Sequence, residues 1–202
     1  MIDLSDYQIF NEPQYRTNLK ETSKDQHDDG DIFYMTDSLM DVINFDDIKE
    51  AHICDWKLSS MPKSADALFS VGTEKIVFVE FKNGKMDKSK QNNVYQKMYD
   101  STLLFCDITG QRISEMKEYA EFILVYNESK NLDNRDRELQ KKNEEARKAE
   151  EVQPSQSFDS FAKLMGKLSE NEYICFRLGD FEKYCFKKVH TYTESEFEKY
   201  LK

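Results

Sequence analysis

The sequence predicts an α/β domain in which a mixed central sheet is flanked by helices. Three observations carry that expectation: apolar runs of strand length, segments of helical spacing between them, and a short "GTE" turn joining two of the runs. At 202 residues the chain can bury a core without disulfide or metal staples. Its 13% aromatic and 34% charged content fits a globular interior beneath a solvated surface.

Residues 1–36 show little periodicity and read as an acidic N-terminal extension to a domain spanning 37–202. Within it, 23–33 reads as an exposed loop whose His27, Asp28, Asp29 and Asp31 suit a charged loop better than a metal site. Beyond Thr36, the spacing of Leu39, Val42, Ile43 and Phe45 or Ile48 predicts a helix to about Glu50, with a break near Asn44. Strands are expected at 52–59, 65–71 and 75–82, the last two as a hairpin. Val94, Met98, Ser101 or Thr102 and Phe105 then predict a helix, and 119–127 a strongly apolar strand.

Residues 128–153 carry eight acids and seven bases with almost no apolar side chains. They read as an insertion, to about 156, formed by a charge-paired helix or a mobile linker. A short helix at 158–168, a hairpin turning at Gly179–Asp180, and a final helix with Thr193 and Glu196 in a capping-box pattern complete the expected fold.

The net charge of −10 is unevenly spread. Residues 1–60 hold 14 acids against 5 bases, a net of −9, whereas Lys75, Lys82, Lys85, Lys88, Lys90 and Lys97 gather farther on. Cys54, Cys106, Cys175 and Cys185 are scattered and lack a CxxC pair. With no basic-then-apolar leader at the start, they imply reduced thiols and a cytoplasmic location. No apolar run approaches the roughly 18 residues of a membrane span.

The chemistry concentrates in "SADALFSVGTEKIVFVEFKNGK" (64–85), where Asp66, Glu80 and Lys82 interrupt an apolar run. Residues two apart on a strand share a face, so Glu80 and Lys82 project together, and hairpin pairing about Gly72 brings Asp66 level with Glu80. Charges placed beside apolar strands need a partner or a cation. The same three residues also fit a surface ion network on an exposed sheet face.

Asp66 followed by Glu80-Phe81-Lys82 resembles the PD-(D/E)XK nuclease superfamily, and the predicted order of helix, three strands, helix and strand is similar to that superfamily's core. The resemblance covers 36–127, with Ala65 standing where a proline is usual. It implies a restriction-endonuclease-like αβββαβ core with a C-terminal hairpin and helix. It also implies Mg²⁺, or Mn²⁺, held by Asp66 and Glu80, and a water positioned by Lys82 to hydrolyse a phosphodiester, with DNA as the expected substrate. Lysine suits that role better than arginine because its ammonium can lose a proton when desolvated.

Gln91 and Tyr95 resemble the QxxxY motif of exonuclease-like branches, where they would orient Lys82 or the substrate; Gln96 and Tyr99 are rivals on the same helix. A first-helix acid would come from Asp41, Glu50 or Glu12. A role in microbial defence against mobile elements follows by analogy, and a single site cutting both strands implies a homodimer. The other reading is a catalytically idle nuclease-like fold whose acidic N-terminal region binds a basic protein as inhibitor, antitoxin or immunity factor.

Overall fold

The computed structural model describes residues 2–26, 31–132 and 174–202. Six strands form one sheet in the order β1 (Arg16–Asn18), β4 (Asp41–Asn44), β5 (Ala67–Val71), β6 (Lys75–Lys82), β7 (Ala120–Tyr126) and β8 (Lys188–Thr193). β2 (Lys24–Gln26) and β3 (Ile32–Tyr34) make a separate antiparallel pair. Short helices α1 (Gln8–Asn11) and α2 (Leu19–Thr22) precede α3 (Phe45–Ile53), the long α4 (Lys88–Thr109), α5 (Ile113–Met116), α6 (Asp180–Tyr184) and α7 (Glu194–Tyr200). The sheet is antiparallel from β1 to β6 and parallel from β6 to β8, so the mixed α/β architecture is as the sequence predicts.

Central strand β6 is covered on both faces. Ile76 and Phe78 join the cluster beneath α4, and Val77, Val79 and Phe81 join the opposite cluster with Phe197. Helix α4 starts where the Asp87 side chain accepts from the Lys90 amide, and it ends at Gly110, whose φ of 69° suits a residue without Cβ. Its buried Val94, Met98 and Phe105 each contribute about 1.5–3 kcal/mol of apolar burial.

Several sequence expectations are corrected. The predicted helix from Thr36 begins only at Phe45, because Val42 and Ile43 point into the two opposite cores as strand neighbours do, and the Asn44 carboxamide accepts from the Asp46 and Asp47 amides. The predicted strand at 52–59 is absent. His52 and Ile53 finish α3, the Trp56 amide turns back onto the Ile53 carbonyl, and β4 takes the place beside β5.

The expected hairpin at Gly179–Asp180 is instead the short helix α6, preceded by Phe176 and Arg177 at positive φ, and β8 returns parallel to β7. A hairpin would have put Phe181 and Phe186 on an outer strand, whereas both are buried, with Phe181 against Tyr95 and Phe186 against Phe78. The β5–β6 hairpin, α4, β7 and the Thr193–Glu196 capping box form as expected.

Residues read as an N-terminal extension contribute Ile2, Leu4, Phe10 and Leu19 to the cores and β1 to the sheet edge. The supposed loop at 23–33 contains β2 and most of β3, while the helix at 158–168 and nearly all of the charged insertion lie outside the described residues. The four cysteines are free thiols, and among the described residues no helix is long and apolar enough to cross a membrane.

Candidate active site

The β5–β6 register fixes the first contact. Ala67 pairs with Val79, and the Asp66 amide donates to the Val79 carbonyl at 2.9 Å, so Asp66 and Glu80 lie side by side across the hairpin. Asp66 Oδ2 accepts from the Phe81 amide at 2.7 Å, which locks that carboxylate against the backbone of β6. Glu80 is 0% exposed, so the exposed-face ion network does not describe it. Lys82 Nζ stands 2.6 Å from Glu80 Oε1 and supplies that buried oxygen with a positive partner.

The third partner comes from α4. Val94, Met98 and Ser101 face the sheet, and Lys97 shares their face at i+3 and i+4 spacing. Its Nζ lies 2.8 Å from both Asp66 Oδ1 and Glu80 Oε2, joining the two carboxylates through one ammonium. Burial, and then the charge of Asp66, push the Glu80 carboxyl up to about 7 against the opposing pull of Lys97 and Lys82. Burial alone would favour neutral Lys97, but Glu80 and Asp66 outweigh it and raise its affinity for the proton, so the ammonium stays charged.

A further charged group lies beside these four. Asp46, in the first turn of α3, accepts from the Ser64 hydroxyl and pairs with Lys49 at 2.9 Å. Burial opposes its ionisation, yet Ser64, Lys49 and the charge of Lys97 together hold it below the ordinary aspartate range. Neither Asp46 nor the role of Lys97 was selected from sequence. With Asn44 read as the helix cap, Asp46 falls in the first turn, a signal that the misplaced helix start concealed.

The site opens into a cleft of about 350 Å³ lined by Asp66 and Lys82 together with Lys24, Lys90 and Lys130. Gly84 admits the Lys90 side chain, since a Cβ there would stand 2.3 Å from Lys90 Nζ. A hub of asparagines fixes the wall. Asn83 donates to Asp25 and accepts from Asn127 and Lys130, while Asn131 donates to the Gly84 and Asn127 carbonyls and accepts from the Met86 amide. Each amide thus uses both its donor and its acceptor end.

Other residues picked out in the sequence have contacts away from the triad. Gln91 Nε2 donates to the Met86 carbonyl, and the Tyr95 hydroxyl donates to the Phe176 carbonyl at 2.6 Å. Gln96 borders a separate apolar groove, and Tyr99 packs on Phe181 and Tyr184. Asp41 pairs with Arg16 at the sheet edge, Glu12 accepts from Gln8, and Glu50 is exposed on α3.

Two carboxylates that converge on one cation form a hard-oxygen donor pair of the kind Mg²⁺ or Mn²⁺ prefers. Asp66 and Glu80 are thus the residues that would hold a divalent ion there. Among the described residues no group of three or more His, Cys, Asp or Glu side chains gathers at ligand spacing. Fold and site together define an α/β protein with a mixed six-stranded sheet and a carboxylate–lysine cluster at a basic cleft. No family model matches the chain, and comparison with curated proteins and with solved structures gives no match.

Proposed function

We propose that this chain is a metal-dependent nuclease that hydrolyses phosphodiester bonds in DNA, built on a restriction-endonuclease-like core. The observation that carries the reading is the convergence of Asp66 and Glu80 on one cation position beside Lys82, at the head of a cleft lined by further lysines. Asp66 and Glu80 would hold the ion, which when bound supplies charge stabilisation at the scissile phosphate. Lys82 donates a hydrogen bond to the attacking water and keeps it beside the carboxylates. Lys24, Lys90 and Lys130 bind the neighbouring phosphates as point charges.

The test is cleavage of labelled single-stranded DNA, duplex DNA and RNA with Mg²⁺, Mn²⁺ or EDTA, using Glu80→Ala and Lys82→Ala as controls. Metal-dependent products lost in both variants support the reading; no product on any polymer defeats it.

One observation favours a second reading. Lys97 already occupies the position between the two carboxylates, which suits an idle nuclease-like fold that binds a basic protein through the acidic residues of 1–60. In that case Glu80→Ala leaves function unchanged, and charge reversals within 1–60 weaken a pull-down of the partner.

A further inference from the structure

We propose that Lys97 is a built-in counter-cation that competes with a divalent ion for the Asp66–Glu80 pair, so that metal enters the site only as Lys97 leaves it. The inference rests on the metal-site reading above. Its basis is geometric: the ammonium contacts one oxygen of each carboxylate at 2.8 Å, and those are the oxygens that face a shared cation. A divalent ion would need them at about 2.0–2.6 Å. Two cations cannot occupy that one position, and an ammonium left beside the ion would repel it and weaken its binding.

The neighbourhood also gives Lys97 somewhere to go. Its side chain is 14% exposed on a flexible four-carbon stem, and Asp46, whose carboxylate already lies in the field of the ammonium, is a second negative partner on α3. Holding Asp66 beside the buried Glu80 without a cation would set two carboxylates against each other in a poorly solvated place. Lys97 thereby lets the site fold before any metal arrives, and the cost is weakened metal affinity. The carboxylates set which ion is accepted, and the lysine sets how tightly.

Three measurements test this, none of them an activity assay. Lys97→Gln should bind Mn²⁺ at least roughly tenfold more tightly than wild type by calorimetry, equivalent to about 1.4 kcal/mol. In thermal denaturation the variant should be weakened in EDTA and recover in Mn²⁺, whereas wild type should respond little.

The wild-type chain offers a check that does not depend on how the variant folds. Amine acetylation read by peptide mass spectrometry should label Lys97 faster with saturating Mn²⁺ than with EDTA, while Lys183, exposed on α6, should label equally in both. Equal Mn²⁺ affinity in wild type and variant, or equal Lys97 labelling with and without a bound ion, overturns the competition but leaves the metal site standing. Failure of both proteins to bind Mn²⁺, with no change in labelling, overturns the competition and the metal-site reading together.

Discussion

Replacing Glu80 by glutamine isolates the cost of a carboxylate held in the core. The side chain is fully buried, and burial with the repulsion of Asp66 lifts its proton affinity from the ordinary 4.5 to about 7. Below pH 4.5 the group is protonated in both folded and unfolded chains and has no effect on their balance. Between those values the unfolded chain releases the proton while the folded chain keeps it, so stability falls as pH rises and then levels off above about 7. At about 1.4 kcal/mol for each pH unit, the loss across the window approaches about 3 kcal/mol. Because Glu80 is shielded from solvent, no large screening correction applies.

Glu80→Gln removes this titration and keeps nearly the same shape. Urea denaturation in EDTA from about pH 4 to pH 9 should give a wild-type stability curve that falls by about 3 kcal/mol relative to the variant, most steeply between pH 5 and 7. Parallel curves would refute the reasoning, since they would mean that Lys97 and Lys82 already hold Glu80 ionised throughout.

The remaining predictions address other parts of the site. Lys82→Ala should abolish cleavage while leaving urea-derived stability within about 1–2 kcal/mol of wild type, because Lys82 lines the cleft and belongs to neither core. Tyr95→Phe should cost about 1 kcal/mol of stability through its lost bond to the Phe176 carbonyl and leave cleavage rates unchanged. A selective loss of activity would restore the QxxxY role. Alanine at Lys90 or Lys130 should each lower the salt dependence of oligonucleotide binding in EDTA by about one unit of log–log slope or less, measured by fluorescence anisotropy.

What the sequence made legible was the short-range part of the site. Period-2 spacing put Glu80 and Lys82 on one face, and a short turn fixed the register that set Asp66 beside Glu80. Lys97 was visible only as one member of a basic stretch. Its role depends on the crossing of α4 over the sheet, which no local pattern encodes. Asp46 was hidden for a different reason: Val42 and Ile43 satisfy helical spacing as well as strand alternation, and only their burial in opposite cores decides between the two. The strand expected at 52–59 and the hairpin expected at Gly179–Asp180 failed for a related reason, since strand pairing partners are set by tertiary contacts.

The asparagine hub bears on the chemical lifetime of the protein. Asn83 is followed by Gly84, a pair in which the unhindered following amide can attack the carboxamide and release ammonia. Conversion of Asn83 to aspartate would replace the donor that now reaches Asp25 with an acceptor and bring a new negative charge beside Asp25 in the wall of the cleft. The bonds from Asn127 and Lys130 hold that carboxamide in the folded chain and oppose the cyclisation. Ageing of the protein should therefore proceed through its unfolded fraction, and a stored sample should gain negative charge in the wall of the cleft before it loses its fold.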